Sequence, residues 1–314
     1  MSAPPLFVLG VRRSGTTLLR VMLDRHSELA IPDESYFIPQ LADRHRGPVD
    51  RQAFLDDLRR IPTLREWDVD IADMAPRLRP GMALGEAIAA VYEAYAAAHG
   101  KRRWGDKTPM YMQHLSTLER LFPDALYVHL IRDGRDAAVS FLQMPEGVVT
   151  RTWAHPGDVA GFACQWRQEV AAARALGDRV GSRYLEVRYE HLVADPERAL
   201  GHICAHAGLS FEPAMLGYPG DVDVSAKPHQ QSLARPPTPG LRDWRTEMAE
   251  ADVRTFEAVA EDLLAELGYP TSGQTTTRGR LRRVSYAARV KAWNETGRAV
   301  RRSPLWHRRH PPLI

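Results

Sequence analysis

Residues 6–23 read LFVLGVRRSGTTLLRVML, and the fold class can be inferred from this segment. The apolar run at 6–10 is typical of a short buried strand. After a polar turn, Leu19, Met22 and Leu23 recur at the spacing of one helix face. The segment therefore predicts a strand, a tight loop and a helix in direct succession, which is the first β–α unit of a parallel sheet.

The loop between this strand and helix, residues 10–17, reads GVRRSGTT. A nucleoside-triphosphate P-loop reads G-x-x-x-x-G-K-S/T in the same setting, and here both glycines and the last threonine are present. Thr16 stands where the P-loop has its lysine, and positive charge lies within the loop on Arg13. Backbone amides at a helix N-terminus still predict an anion site, whereas ordinary ATP chemistry is disfavoured. A tight turn without a ligand is the alternative.

Two more strand–helix units follow along the chain. The runs at 126–131 (LYVHLI) and 184–188 (YLEVR) predict buried strands, and each leads into a helical pattern. Alternating strands and helices predict a three-layer α/β protein, in which a central parallel sheet is flanked by helices. We expect a domain over 1–270, with a mostly helical insert at about 36–103, and a basic C-terminal tail over 271–314.

The motif R-S-G-T-T-L-L after a short strand resembles the 5′-phosphosulfate loop of sulfotransferases that use 3′-phosphoadenosine 5′-phosphosulfate (PAPS). The resemblance implies a P-loop-like fold and an enzyme that uses PAPS as co-substrate without a metal ion. It also implies that the phosphosulfate is bound by a run of loop residues: Arg13, Ser14, Gly15, Thr16 and Thr17. Arg13 is in addition expected to act in catalysis.

Residues 131–140, IRDGRDAAVS, place Arg132 at the end of a predicted strand and Ser140 within the next helix. A guanidinium offers a fork of donors that suits a phosphate. In the family that the chain resembles, an arginine and a serine at this spacing hold the 3′-phosphate that distinguishes PAPS from ATP. The structural alternative is that Arg132 pairs with Asp133 or Asp136.

Two further motifs match the family in chain order. The resemblance assigns Lys107, in WGDKTP at 104–109, to the transferring sulfuryl group and the departing phosphate. It assigns Tyr189, in the motif VRYEHL, to the nucleotide, with core packing as the alternative. Trp166 is a candidate for adenine stacking, with core packing as the favoured interpretation.

A polar, proline-rich loop at 226–245 resembles the late loop that closes over the phosphates in related enzymes. Lys227, Ser232 and Arg242 are its candidate phosphate ligands, and the sequence does not choose among them. The helical insert and the loop at 145–160 are expected to shape the acceptor pocket.

Sulfuryl transfer also needs a general base to take the proton of the acceptor hydroxyl. The segment MLDRHSELAIPDESYFIP at 22–39 aligns without gaps to the tyrosylprotein branch of the family, and this resemblance places Glu34 at the catalytic position. Side chains of neighbouring residues in an extended segment point to opposite faces, so only one of Asp33 and Glu34 is expected to face the acceptor. The alternative is that one of them caps a helix beginning near Ser35. That branch has an arginine where this chain has Tyr36.

Charge is divided unevenly between body and tail. The formal net charge is +3, but residues 271–314 hold eleven Lys and Arg against one acid, Glu295. As a helix, the tail divides its apolar residues between two faces: Leu281, Val284, Ala288 and Ala292 on one, and Tyr286, Val290 and Trp293 on the other. This is not the single stripe of a strong interfacial helix. A solvated, partly ordered appendage is the favoured interpretation, and peripheral contact with an anionic membrane is the other.

Composition narrows the class of protein. No run approaches the roughly 18 apolar residues of a membrane-spanning helix, and two cysteines cannot build a disulfide framework or a zinc cluster. No secretory signal is visible, so a cytoplasmic location is expected. The leading hypothesis is sulfuryl transfer from PAPS to a hydroxyl of a small-molecule, carbohydrate or lipid acceptor, with no nucleic acid as partner. The alternatives are a P-loop nucleotide or small-molecule kinase that needs Mg²⁺ and ATP, and a catalytically silent nucleotide-binding adaptor.

Overall fold

The computed structural model describes residues 3–67, 69–144, 156–218, 238, 242–273 and 277–301. Within them, five strands form one sheet in the order β2-β3-β1-β4-β5, and every pairing is parallel. The strands are β1 (Leu6–Leu9), β2 (Leu29–Ala30), β3 (Arg103–Asp106), β4 (Leu126–Ile131) and β5 (Tyr184–Arg188). Because β1 pairs with β3 on one side and β4 on the other, the loops that follow these three strands meet at one edge of the sheet.

Helices cover both faces of this sheet. They are α1 (Thr16–Asp24), α2 (Ile38–Arg44), α3 (Arg51–Leu58), α4 (Pro62–Glu66), α5 (Leu84–Ala98), α6 (Leu115–Leu121), α7 (Gly134–Leu142), α8 (Val159–Val180), α9 (Tyr189–Ala194), α10 (Pro196–Ala207), α11 (Trp244–Glu247), α12 (Glu250–Glu266) and α13 (Thr277–Arg301). Leu6 and Val8 of β1 belong to a core with α1, α9 and α10, whereas Phe7 and Leu9 belong to a core with α5, α8 and α12. This three-layer arrangement confirms the predicted α/β fold class.

The strands predicted at 126–131 and 184–188 are present as β4 and β5. Strand β4 is buried as predicted, whereas β5 lies at the edge of the sheet and buries only Val187. Strand β3 (Arg103–Asp106) is not predicted, because its sequence, RWGD, is neither an apolar run nor an alternation of apolar and polar residues. Tertiary packing supports it instead. The ring of Trp104 stacks on that of Tyr92 in α5 with a centroid separation of 4.4 Å.

Residues 38–98 form helices α2 to α5 and one 3-10 helix, Ile71–Arg77. The ring of Phe37 packs on those of Trp67 and Tyr92, at centroid distances of 5.6 and 5.8 Å. This aromatic cluster joins the helical segment to β3. It thereby supports the end of the strand from which the WGDKTP motif continues.

Helix α13 corrects the expectation of a solvated tail. Tyr286 is buried where α13 packs against α8 and α12, and Arg283 pairs with Asp262 of α12 at 2.9 Å. A Cβ at Gly279 would collide with the carbonyl oxygen of Ala258, so the two helix backbones are in close contact there. None of the helices in the described ranges is long and apolar enough to cross a membrane.

Candidate active site

The loop at residues 10–17 joins β1 to the N-terminus of α1. Its backbone enters the left-handed region twice, at Gly15 with φ 88° and at Arg13 with φ 71°. A Cβ at Gly15 would lie 2.4 Å from the ring of Tyr189, so only glycine fits between that ring and the helix. The amide of Ser14 closes the turn by donating to a carbonyl three residues earlier, at 3.1 Å. The first backbone N–H groups from Gly15 onwards therefore form the N-terminus of α1, where no carbonyl of the helix accepts from them.

Residues from three separate motifs meet beside this loop. Arg13 Nε donates a hydrogen bond to Ser140 Oγ at 2.9 Å, and Arg132 Nη1 donates to the carbonyl oxygen of Arg13 at 3.3 Å. The guanidinium of Arg132 lies over the ring of Tyr189, 4.6 Å from its centre. Arg13, Arg132, Ser140 and Tyr189 thus line one wall beside the loop.

This wall is rich in positive charge. Burial, followed by the neighbouring charges of Arg132 and Arg242, lowers the pKa of Arg13. Two buried polar atoms, Ser14 Oγ and Arg132 Nε, have no hydrogen-bond partner among the described residues. Asp136 pairs with Arg132, but at the long distance of 3.8 Å. Clustered cations and unsatisfied donors make the hydrogen-bonding pattern of an anion site.

A second cluster is formed by Glu34, in the segment that follows β2, and Lys107, directly after β3. Lys107 Nζ lies 2.5 Å from Glu34 Oε1 and donates to Thr17 Oγ1 at 3.3 Å. Only 1% of the Lys107 side chain is exposed, so its ammonium is removed from bulk water. The hydroxyl of Tyr36 donates to the second carboxylate oxygen of Glu34. The carboxylate of Glu34 therefore faces an ammonium on one oxygen and a phenol on the other.

These contacts set the protonation of the cluster. Burial would raise the pKa of Glu34, but the charge of Lys107 and hydrogen bonds from Lys107 and Tyr36 outweigh it and hold this pKa below its usual range. Burial and the nearby carboxylate raise the pKa of Tyr36. At neutral pH, Glu34 is therefore an ionised proton acceptor and Tyr36 a neutral donor.

The side chain of Asp33 points away from that of Glu34. Its carboxylate pairs with Arg20 of α1 at 3.0 Å, and 41% of the side chain is exposed. The next helix begins only at Ile38, with Phe37 at its N-cap, so the helix-capping alternative is wrong. The two adjacent carboxylates therefore face different partners, and only Glu34 meets Lys107.

A buried network of hydrogen bonds, which no sequence motif predicts, holds Glu34 and Lys107 in place. Ser35 donates from its amide to Thr108 Oγ1 at 3.0 Å and from its hydroxyl to Asp106 Oδ2 at 2.7 Å. Asp106 Oδ2 also accepts from the hydroxyl of Tyr92 at 2.8 Å. The Ser35 hydroxyl lies 2.6 Å from that of Tyr111, which completes the network.

The segments at 34–35 and 106–108 therefore each place neighbouring side chains on opposite sides. Glu34 and Lys107 meet on one side, whereas their neighbours Ser35, Asp106 and Thr108 bond to each other on the other side. The alternating direction of side chains in extended backbone produces this division. The polar residues on both sides of Lys107 in WGDKTP are the only sequence signal of the network.

Asp106 makes the stability of the fold depend on pH. Burial raises its pKa from 3.8 to about 6, despite hydrogen bonds from Ser35, Tyr92 and Thr108. Between these two values folding takes up a proton, so the contribution of this group to stability falls as pH rises through the window. In Asp106→Asn this dependence should vanish. Between about pH 4 and pH 7, the free energy of unfolding of the variant should rise by about 2 kcal/mol relative to that of the parent chain.

Thermal unfolding of variant and parent at about pH 4 and pH 7 measures this effect. Glu34→Gln is the matched control, because the lowered pKa of Glu34 gives stability that is present at neutral pH and lost as pH falls. That variant should therefore lose stability relative to the parent over the same rise in pH. If the Asp106→Asn protein differs from the parent by the same amount at both pH values, Asp106 does not carry the raised pKa.

Trp166 is a core residue. Its ring is fully buried and packs on Phe256, and its Nε1 donates to the carbonyl oxygen of Arg132 at 3.2 Å. It therefore holds the end of β4 in place and offers no face for adenine stacking.

The late loop is only partly described. Arg242 pairs with Glu247 at 2.8 Å, and its charge acts on Arg13. Lys227 and Ser232 lie outside the described residues, and so does most of the predicted acceptor loop, at 145–155.

The family can now be assigned. A profile described as "Sulfotransferase family" matches residues 4–213, a range that contains the phosphate loop, both clusters and the buried network. The chain belongs to the sulfotransferase family. This membership confirms the predicted enzyme class and P-loop-like fold.

Curated relatives of this sulfotransferase come from a bacterium and from an animal. Nodulation protein NoeE of Sinorhizobium fredii is 30% identical over 301 residues, which cover 85% of this chain and 66% of the relative. Protein-tyrosine sulfotransferase 2 of Gallus gallus is 29% identical over 285 residues, which cover 85% of this chain and 69% of the relative. The chain thus spans about two thirds of the length of these relatives.

A solved structure has the same architecture. The sulfotransferase domain of the olefin synthase from Synechococcus PCC 7002 superposes with a TM-score of 0.56 at 25% identity. The match covers 86% of this chain and 97% of that domain.

Proposed function

We propose that this chain transfers the sulfuryl group of PAPS to an acceptor hydroxyl, with Glu34 as general base and Lys107 as the cation at the leaving group. The observation that carries the proposal is the position of the Lys107 ammonium, 2.5 Å from Glu34 Oε1 and 3.3 Å from Thr17 Oγ1. One buried cation thus connects a proton acceptor with the phosphate loop. An in-line displacement needs both groups beside the reacting centre, one for the incoming and one for the leaving oxygen.

The residues present fit PAPS as co-substrate. The amides at the N-terminus of α1 suit its 5′-phosphosulfate. Arg132 and Ser140 suit its 3′-phosphate, and Tyr189 adds an aromatic ring beside them. Arg13 joins these residues to the phosphate loop through its hydrogen bond to Ser140. The orphaned donors on Ser14 and Arg132 leave further hydrogen bonds for such an anion. When bound, PAPS supplies an activated sulfuryl group.

The side chains then divide the reaction between them. Glu34 accepts the proton of the acceptor hydroxyl while the acceptor oxygen forms its bond to sulfur and the bond from sulfur to the 5′-phosphate oxygen breaks. Lys107 and Arg13 donate to the oxygens on which negative charge accumulates. Because these cations neutralise the leaving phosphate, the proton stays on Glu34 until solvent removes it.

We infer that the acceptor is a hydroxyl of a small molecule, a carbohydrate or a lipid. Tyr36 supports this inference, because it replaces the arginine of the tyrosylprotein branch and exposes 37% of its surface beside the base. An aromatic ring can pack on the apolar face of a sugar or lipid. A protein tyrosine is the second candidate. It is favoured by the similarity to a protein-tyrosine sulfotransferase and by the Tyr36 contact, in which Glu34 already accepts from a phenol.

Transfer of label from PAPS that is labelled in its sulfuryl group separates these candidates. One acceptor panel holds tyrosine peptides, and the other holds carbohydrates, lipids and small alcohols. We expect label in the second panel and none after Glu34→Gln. Label on the peptides alone would make protein tyrosine the acceptor, and phosphate transfer from Mg-ATP instead would favour the kinase, which Thr16 in place of the P-loop lysine disfavours. The silent adaptor would be favoured if the chain binds PAPS but transfers no label, and if Glu34→Gln and Lys107→Ala change nothing measurable.

A further inference from the structure

Helix α13 has two apolar faces, and the described residues pack against only one of them. On the inner face Tyr286 is buried, Val290 packs against the core, and Arg283 reaches Asp262 of α12. Leu281 lies on the opposite side and is 66% exposed. The two sets of apolar residues that the sequence shows on α13 therefore differ in role. The inner set packs the helix against α8 and α12, and the outer set is exposed at the surface.

The outer face of α13 is an apolar stripe between basic side chains. At 3.6 residues per turn, the stripe follows one line along the helix and consists of four exposed residues: Leu281, Val284, Ala288 and Ala292. Exposed basic side chains flank it: Arg280, Arg282, Arg289 and Lys291. Val284 is 69% exposed, and three of the four large apolar side chains exposed among the described residues belong to α13. Within the part of the chain that the structure describes, this stripe is exposed.

We propose that the outer face of α13 binds the surface of an anionic lipid bilayer. Helix α13 holds eight Lys and Arg against one acid, whereas residues 1–270 hold 31 Lys and Arg against 38 Asp and Glu. Attraction to an anionic surface is therefore concentrated on this helix. Leu281 and Val284 enter the boundary between headgroups and acyl chains, and the arginine stems extend their guanidinium groups to the lipid phosphates.

Other occupants fit this face less well. A nucleic acid would use the arginines but has no use for the apolar stripe that lies between them. A second copy of the chain, paired through the same face, would bring two sets of like charge together. A bilayer uses both the charge and the stripe.

Co-sedimentation of the full chain with lipid vesicles tests the proposal. We expect binding to vesicles that mix phosphatidylcholine with phosphatidylserine, weaker binding at raised salt, and none to phosphatidylcholine alone. Leu281→Ser with Val284→Ser should weaken binding about tenfold. Arg280→Gln with Arg282→Gln should weaken it about twenty-five-fold, because each cation near an anionic surface contributes about fivefold.

Arg77→Gln with Arg79→Gln is the matched control, since it removes two exposed arginines, also two positions apart, from another surface. It should bind vesicles as the parent does. Thermal unfolding and binding of adenosine 3′,5′-bisphosphate should be unchanged in all three double variants, so that failure of this proposal and failure of the proposed function are separate results.

Three outcomes would overturn the bilayer assignment. The first is equal binding to both kinds of vesicle, or to neither. The second is binding that survives Leu281→Ser with Val284→Ser, which would reduce the contact to simple attraction between polyions. The third is a dimer that the same double variant dissociates, which would assign the outer face to a second copy of the chain.

Discussion

Glu34→Gln is expected to lower the kcat for sulfuryl transfer by about a hundredfold to ten-thousandfold, while affinity for PAPS stays within about twofold. The carboxylate of Glu34 is ionised beside the Lys107 ammonium and lies at the phosphate loop. The amide of glutamine keeps the shape and can still accept a hydrogen bond from Lys107, but it cannot take a proton. The fall should therefore be in kcat, with the KM for PAPS preserved.

Asp33→Asn is the matched control for this prediction. It changes the adjacent carboxylate in the same way, but that carboxylate pairs with Arg20 on the other side of the segment. It should keep kcat near that of the parent. Because glutamine leaves the buried ammonium without a counter-charge, binding of adenosine 3′,5′-bisphosphate must show that the Glu34→Gln protein is folded. An active Glu34→Gln enzyme, or an inactive Asp33→Asn enzyme, would mean that Glu34 is not the base.

Lys107→Ala is expected to lower kcat by about a hundredfold to a thousandfold, because it removes a preorganised cation from the site where the leaving phosphate gains charge. It should also change the pH dependence of the residual activity. Without the charge of Lys107, burial governs Glu34 and raises its pKa, so the base becomes ionised only at higher pH. The residual rate should rise with pH across a range in which the parent rate is flat.

Lys291→Ala is the control for loss of one lysine, since this side chain is 77% exposed on α13. It should leave both kcat and the pH profile unchanged. A Lys107→Ala enzyme with the parent's pH profile and kcat would remove this lysine from the reaction.

Local patterns predict the part of the fold that local sequence determines. Strands β1 and β4 are apolar runs, β5 combines three apolar residues with two charged ones, and each is followed by helical periodicity; all three are present. Strand β3 has no such pattern, and it forms because β1 and β2, distant in the sequence, offer backbone hydrogen bonds on its two sides. Strand pairing depends on such tertiary context as much as on the residues of the strand itself.

Motif spacing predicts which groups meet, but not what holds them. Arg13, Arg132 and Ser140 come together because the loops after β1 and β4 lie at the same edge of the sheet. The bond between Ser35 and Asp106 joins residues 71 positions apart, and it depends on which face each side chain takes in two short segments. No spacing rule contains that information.

The tail shows how composition can mislead. Its high density of arginine favours a solvated segment, but a few residues of the inner face, among them Gly279, Tyr286 and Val290, are enough to fasten α13 to the body. Gly279 contributes by permitting close backbone contact, which a hydropathy pattern does not record.

The identity of the nucleotide decides between a PAPS site and the ATP site of a kinase, and it needs no knowledge of the acceptor. Thermal unfolding should be compared with adenosine 3′,5′-bisphosphate and with Mg-ATP, each at about a hundredfold excess over a micromolar Kd. The bisphosphate alone should add about 2.7 kcal/mol, a shift of several degrees, and Arg132→Gln with Ser140→Ala should abolish it. Stabilisation by Mg-ATP alone would contradict the assignment of Arg132 and Ser140 to a 3′-phosphate, and with it the proposed use of PAPS.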